Sequence, residues 1–130
     1  MHHISIKNYS RLILFCIILI SPVLGSAKKE RTLKVTATAY NSLPGQTQGN
    51  PTLTAWGEIL VPGMKAIAVS RDLLSMGLTR GVKIRIEDLP GNFRVQDKLN
   101  KRWKRRIDIY MGTDEKAARQ WGKREVTIRW

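Results

Sequence analysis

Cysteine and histidine are nearly missing from this sequence, and the few that occur lie in its first sixteen residues. The single cysteine is Cys16, and the two histidines are His2 and His3. Once that segment is removed, the chain has no thiol nucleophile, no histidine general base, no disulfide and no zinc site built on these residues. Catalysis would then have to use Asp, Glu, Lys, Tyr or hydroxyl groups. We expect no cofactor and no metal, beyond the weak affinity of converging aspartates for a hard cation.

Long apolar runs are also scarce, and the one near the start of the chain has the form of a secretory signal peptide. Its parts are the basic residues Lys7 and Arg11, the apolar run 12–20, the breaker Pro22 and the small residues 25–27. The run is short for a bilayer span, which needs about 20 apolar residues. Residues 1–27 are therefore predicted to be a signal peptide cleaved after Ala27, with an uncleaved anchor as the alternative.

Acidic residues are few: the sequence has 10 Asp and Glu against 23 Lys and Arg, which gives a net charge of +13. The remaining segment, residues 28–130, is long enough for one domain with a modest core. A positive surplus of this kind often indicates nucleic acid. An exported protein, however, meets anionic cell-envelope polymers first. We expect a periplasmic or envelope-associated protein that binds such a polymer and not nucleic acid, and that has no stable membrane insertion after cleavage. The sequence does not identify a protein partner.

Alternation of apolar and polar residues predicts a mainly β fold. The predicted strands are 33–40, 66–70, 82–87, 93–97, 107–110 and 124–130, with a seventh short strand considered at 58–61. A helical turn is predicted at 71–76, and one longer helix is predicted to begin at an N-cap on Thr113 and to end at Gly122. Residues 41–50 are turn-rich and read as a surface loop. This order favours a small β-barrel with short helical insertions over a parallel α/β sheet.

Two of the predicted strands each deliver an aspartate, Asp97 and Asp108. Between them lies a basic segment, residues 98–106, in which six of nine residues are Lys or Arg and one is Trp103. If both runs belong to one small sheet, two carboxylates meet at the mouth of a cationic groove, which suits acid/base chemistry on a saccharide. The alternative is a solvated basic loop whose aspartates pair with arginines.

The ordered motifs of the chain resemble the three-aspartate domain, the catalytic core of the membrane-bound lytic transglycosylase A family and of small stationary-phase muralytic proteins. The matching segments are Thr38-Ala39-Tyr40, Thr54-Ala55-Trp56-Gly57, Ala66-Ile67-Ala68-Val69, Arg106-Ile107-Asp108, Glu115 to Gly122 and Val126-Thr127-Ile128. The separation of Asp97 from Asp108, eleven residues, is also the family's. The resemblance implies a six-stranded double-psi β-barrel with a groove across its top. It also implies cleavage of the peptidoglycan bond between N-acetylmuramic acid and N-acetylglucosamine, with a 1,6-anhydro product.

By the same resemblance Asp108 is the catalytic acid and base, while Asp97 and Asp72 raise its pKa and orient the sugar. The position of the family's first aspartate falls on Ser70 when counted from the preceding strand and on Asp72 when counted back from the following one, and we favour Asp72. The family's Asp-Thr-Gly-Gly turn is replaced here by Asp97-Lys98-Leu99-Asn100. The absence of the two glycines of that turn predicts either an altered substrate or a loss of catalysis.

Five further residues are candidates for substrate binding: Tyr40, Thr54, Lys98, Trp103 and Arg106. Tyr40 either hydrogen-bonds the sugar or an aspartate, or it caps the barrel. Trp103 either stacks on a sugar face or packs under the basic segment. Arg106 either pairs with Asp108 or holds a stem-peptide carboxylate. The alternative function is a non-catalytic barrel that binds the cell wall or another polyanion.

Overall fold

The computed structural model describes residues 28–44, 50 and 52–130, together with the isolated positions 18, 20, 21 and 25. The predicted signal peptide therefore lies outside the described residues apart from those four positions, and so does the middle of the predicted surface loop, residues 45–49. Within the part of the chain that is described, no helix has the length and apolar character needed to cross a membrane.

The described residues form six strands and two short helices. In chain order they are β1 (Thr32–Tyr40), β2 (Ala66–Val69), α1 (Arg71–Leu74), β3 (Lys83–Ile86), β4 (Phe93–Lys98), β5 (Arg106–Tyr110), α2 (Glu115–Trp121) and β6 (Arg124–Arg129). The strands close into a barrel in the order β1, β5, β2, β4, β3, β6. The prediction of a small, mainly β, six-stranded barrel with short helical insertions is confirmed.

Strands that are distant in the sequence are neighbours in the barrel. β5 lies between β1, to which it is parallel, and β2, to which it is antiparallel. β2 is in turn parallel to β4, and β3 pairs antiparallel with both β4 and β6. Parallel neighbours cannot be joined by a tight hairpin, so the chain has to cross the barrel between them. As a result, side chains from four separate stretches of sequence share one side of the barrel wall.

The barrel interior is filled by every second residue of the strands, as a pleated sheet requires. The buried cluster contains Val35, Ala37, Ile67, Val69, Ile84, Ile86, Val95, Ile107, Ile109, Val126 and Ile128, with further large residues from the connections. A second, smaller cluster lies on the outside of the wall. There Leu60, from the segment after β1, packs against Ala66 and Tyr110, with Tyr40 partly buried beside them. Part of the outer wall is thus covered by the segment that leads into β2.

Two local predictions are wrong. Residues 58–61 form no strand but only a single bridge between Leu53 and Ile59. The cause is a tight turn at 54–57, in which the Thr54 hydroxyl accepts from the Glu58 amide at 3.0 Å and Gly57 takes a φ of 79°. The cap of α2 is Asp114 and not Thr113, because the Asp114 carboxylate accepts from the Ala117 amide at 2.9 Å.

The capping geometry predicts unequal effects of two neighbouring substitutions. Asp114→Ala removes the acceptor for the first turn of α2 and should lower the free energy of unfolding by about 1 kcal/mol. Thr113→Ala leaves that hydrogen bond in place and should cost less than about 0.5 kcal/mol. Urea denaturation of the two variants measures the difference. A Thr113→Ala variant as destabilised as Asp114→Ala would contradict the assignment.

Candidate active site

Asp97 and Asp108 lie in one row across four strands of the barrel wall. Thr38 of β1 pairs with Asp108 of β5, Asp108 pairs with Ala68 of β2, and Ala68 pairs with Asp97 of β4. Residues in register point to the same face of a sheet, and the chain neighbours of Ala68 and Asp108 are core residues, so the row faces outward. The two aspartate Cα atoms are two strand spacings apart, roughly 10 Å. Ala68, which is itself buried, lies between the two aspartates in the row.

A β-bulge brings Asp97 into this row. Along β2 and β4 the register shifts between Ile67 and Ala68, so that Ile67 pairs with Val95 while Ala68 pairs with Asp97. Without the extra residue, Gln96 would stand opposite Ala68. Bulges often re-aim a side chain next to a functional site. Here the bulge places a carboxylate where regular pairing would place an amide.

The carboxylate of Asp97 is held by backbone amides from two directions. Its Oδ1 accepts from the Ala55 amide and from the Lys98 amide, each at 2.8 Å. The Ala55 amide is available because the turn at 54–57 presents it, and that turn is closed by the buried Thr54 hydroxyl. The sequence predicted a groove-lining role for Thr54, and the structure uses its hydroxyl within the turn.

Asp108 is partly buried and takes part in a chain of hydrogen bonds. The Arg106 Nη2 donates to Thr38 Oγ1 at 3.1 Å, and Thr38 Oγ1 lies 3.0 Å from Asp108 Oδ1. A guanidinium can only donate, so Thr38 Oγ1 accepts from Arg106 and directs its own proton at Asp108. Within the part of the chain that the structure describes, no Lys or Arg nitrogen lies within 4.0 Å of the Asp108 carboxylate.

The pKa of Asp108 is raised above the ordinary aspartate value. Burial is the largest cause, because it disfavours the charged form. The hydrogen bond from Thr38 and the charge of Arg106 oppose the shift, and the like charge of Asp97 adds to it. Asp108 therefore keeps its proton to a higher pH than an exposed aspartate does.

Tyr40 is the next outward residue of β1 after Thr38. Its ring lies 5.5 Å from that of Tyr110, whose hydroxyl is 2.8 Å from Ser42 Oγ. The Tyr40 hydroxyl is buried and has no hydrogen-bond partner among the described residues. Burial, followed by the charges of Asp97 and Asp108, raises the pKa of Tyr40 far above its ordinary value. The result is a permanently neutral hydroxyl close to both carboxylates.

The basic segment is anchored to the chain that follows β2. The Arg106 amide donates to Ser70 Oγ at 2.9 Å, and the Arg105 amide donates to Asp72 Oδ2 at 2.9 Å. The Arg71 Nε donates to the Leu99 carbonyl at 3.2 Å. Ser70 is fully buried. The three bonds fix the segment against α1 although it is largely exposed.

Both candidates for the first aspartate position serve this anchor. Burial tends to raise the pKa of Asp72, but the Ser70 hydroxyl, the backbone amides of Arg105 and Asp72, and the charge of Lys104 outweigh it and lower the pKa. Asp72 is therefore an ionised acceptor that organises the basic segment. The structure brings Asp97 and Asp108 into one row and holds Asp72 at the anchor.

Trp103 lies under two guanidinium groups of the basic segment. The Arg106 Cζ is 3.9 Å from the ring centroid and the Arg102 Cζ is 4.7 Å from it. Both distances are in the range of cation–π attraction. Lys98 donates its amide to Asp97 and pairs with Val69 at the end of β4. Trp103 and Arg106 thus adjoin the row at the end where β5 begins, while Lys98 is in register with the core residue Val69.

Thr38 was not singled out as a site residue from the sequence. The signal was its position two residues before Tyr40 in an alternating strand, which places both side chains on one face. Which aspartate it would meet depends on the pairing of β1 with β5, and the two strands are about 70 residues apart.

No group of three or more Asp, Glu, His or Cys side chains within the described ranges is arranged to hold a metal ion. No protein-family model matches the chain, and no curated protein matches it significantly.

The raised pKa of Asp108 predicts a pH-dependent stability. Below the ordinary aspartate value of about 3.9, both folded and unfolded states are protonated and the residue costs nothing. As pH rises through that value, the unfolded state ionises first, so stability falls until the folded state also ionises. Asp108→Asn keeps an acceptor for Thr38 but cannot ionise, so its melting temperature should exceed the parent's at pH 7. That advantage should shrink towards pH 3. Thermal melts across pH measure it, and an advantage independent of pH would contradict the account.

Proposed function

We propose that the protein is a peptidoglycan lytic transglycosylase, which cleaves the bond between N-acetylmuramic acid and N-acetylglucosamine and leaves a 1,6-anhydro end. The observation that supports this most is the partly buried Asp108, which has a raised pKa and lies in an outward-facing row of the wall with a second carboxylate, Asp97. A carboxyl group whose pKa is raised, so that it keeps its proton to a higher pH, is better suited to protonate a leaving glycosidic oxygen.

In this mechanism Asp108 acts twice. As an acid it gives its proton to the glycosidic oxygen, which takes the electron pair of the breaking C1–O bond. As a carboxylate it then accepts the proton of the muramic acid C6 hydroxyl, whose oxygen forms the new bond to C1. No water is consumed. One carboxyl group is sufficient, which agrees with an Asp97 whose Oδ1 already accepts two amides.

The neighbouring side chains take supporting roles. The charge of Asp97 keeps the proton on Asp108 and stabilises positive charge that develops at C1. Tyr40 keeps a neutral hydroxyl buried beside the row, where it adds no charge to the site. Trp103 supplies an apolar face against which a sugar ring packs, while Lys98 and Arg106 attract acidic groups of the polymer. Thr54 and Asp72 act indirectly, by holding the turn before β2 and the basic segment.

Loss of the Asp108 carboxyl should remove the activity. The parent protein is expected to release anhydromuropeptides from isolated wall sacculi, detected by mass spectrometry, and Asp108→Asn should reduce the rate by about 10²- to 10⁴-fold. Asp114→Asn is the matched control, because it changes an exposed aspartate outside the row and leaves the cap of α2 an acceptor. Equal product from the parent and from Asp108→Asn would refute the proposal.

The alkaline limb of the pH–activity profile should shift in opposite directions in Asp97→Asn and Thr38→Val. Activity requires protonated Asp108 and so falls as pH rises through its raised pKa. Asp97→Asn removes a like charge that raises this pKa, so the limb should shift to lower pH. Thr38→Val removes a hydrogen bond that lowers the pKa, so the limb should shift to higher pH. Rates on sacculi at a series of pH values give both positions. Shifts of the same sign would argue against Asp108 as the acid.

A second candidate function is a non-catalytic polyanion-binding barrel. It is favoured by the basic residues on the outer surface of β3, β4 and β6, on the other side of the barrel. There Lys83 pairs with Arg94, and Arg85 pairs with Arg129, so that like charges stand directly opposite on neighbouring strands. Such pairs are destabilising without an anion between them. Glu30 supplies one, since it forms ion pairs with both Arg85 and Arg129.

Two open clefts adjoin this cationic wall and meet at Asn92. One, of about 350 Å³, is lined by Arg85 and Arg129, and the other, of about 400 Å³, is lined by Lys65 and Arg94. The same sacculus assay separates the two functions. A binding barrel would be retained by sacculi, would release no anhydro product, and would be eluted by salt. Retention would then depend on Lys83 and Arg94 and not on Asp108.

A further inference from the structure

Two guanidinium groups converge on one side of the proposed site without an acidic partner. Arg102 and Arg106 both lie over the Trp103 ring, at 4.7 and 3.9 Å from its centroid. In the ranges that the structure describes, no carboxylate oxygen lies within 4.0 Å of either guanidinium. Cation–π attraction offsets part of the repulsion between two like charges, and a bound anion would offset the rest.

The position of Arg106 also fits an anion. Its Nη2 is used by Thr38, and this is the one Arg106 side-chain hydrogen bond among the described residues. The other nitrogens of the planar fork match a carboxylate, which binds two parallel N–H groups. The anchor of the basic segment on Ser70 holds the backbone of Arg106 in place. Arg106 is therefore held at both ends while part of its donor edge remains available.

The same arginine is coupled to Asp108 through Thr38. Because Arg106 donates to Thr38 Oγ1, the Thr38 proton is directed at the Asp108 carboxylate and favours its charged form. An anion bound by Arg106 would cancel the positive charge and draw the guanidinium away from Thr38. It would also bring a like charge close to Asp108. All three effects favour protonated Asp108.

We propose that a carboxylate carried by the substrate binds to Arg102 and Arg106 beside Trp103, and that this binding promotes protonation of Asp108. The proposal rests on the proposed function and adds a substrate class to it: glycan strands whose side chains end in a free carboxylate, in preference to those in which it is amidated. Binding of the substrate carboxylate thus favours the protonated form of Asp108, the residue that then cleaves the glycan.

The other side chains that face Asp108 come from four strands. β1 presents Thr38 and Tyr40, β5 itself presents Arg106 and Tyr110, β2 presents only Ala68, and β4 beyond it presents Asp97. Tyr40 is neutral throughout the working pH range, and its charge state does not change when an anion binds. Among these groups Arg106 is the cation through which an anion acts.

Reciprocity supplies a test that does not need turnover. If the anion favours protonated Asp108, protonated Asp108 must favour the anion by the same factor. The probes are acetyl-alanine, which has a free carboxylate, and its uncharged amide. Binding is followed through the Trp103 indole N–H signal in NMR, between pH 4.5 and pH 8, where the probe stays ionised. The carboxylate should bind about fivefold or more tightly at the lower pH, the small end of usual coupling, and the amide should not bind.

Three variants sharpen the test. Arg106→Gln should abolish binding, and Arg102→Gln, at an exposed position, should weaken it without risk to the fold. Lys101→Gln, which removes a charge from the same segment, should bind as the parent does. In Asp108→Asn the probe should bind with the pH dependence removed. Affinity that is equal at both pH values in the parent, or unaffected by Arg106→Gln, would overturn the proposal. Because no product is measured, failure of the transglycosylase assay leaves this result readable, and the reverse also holds.

Discussion

The position of β5 between β1 and β2 is the constraint on which the rest of the structure depends. Its inward residues, Ile107 and Ile109, are fully buried, so a slip of one residue would expose them and bury Asp108 in the core. The same register that fills the barrel therefore decides which side chains stand beside Asp108. Thr38 and Ala68 follow from the pairing, and Asp97 follows from the pairing one strand further on. Packing and site geometry are fixed together.

Asp108 is partly buried, and yet its carboxylate makes no direct ion pair with the described residues. A buried carboxylate is expensive unless it is paired, and the usual partner is an arginine. Here Arg106 is near but contacts Thr38, so that its positive charge reaches Asp108 through a hydroxyl instead of a direct ion pair. Among the residues that the structure describes, the carboxyl group receives one hydrogen bond and has no direct ion pair, and burial is the largest influence on its pKa. A direct ion pair would keep Asp108 charged and would leave it no proton to give.

The alternation of residues made the strands predictable, because the barrel needs apolar side chains on one face only. The sequence also predicted that two strands flanking the basic segment would each carry an aspartate. Thr38 was missed because its partner is set by long-range pairing. The choice between Ser70 and Asp72 was open because strand counting does not show where β2 ends and α1 begins. Asp114 replaced Thr113 as the cap because both residues are good caps and only the backbone path decides between them.

The basic segment is held in place by side-chain hydrogen bonds and contains no glycine. Glycines would allow a sugar to approach the backbone closely. In this chain the side chains of Ser70 and Asp72 instead accept hydrogen bonds from backbone amides of the segment. Arg105 takes a φ of 44°, which residues other than glycine rarely adopt. The strain is tolerated because both neighbouring amides are satisfied. Side chains from this segment, above all Trp103 and Arg106, then lie next to the row that contains Thr38 and Asp108. In the proposed function, recognition by charge and ring surface replaces close backbone approach, and a substrate that carries carboxylates is the one that such a surface favours.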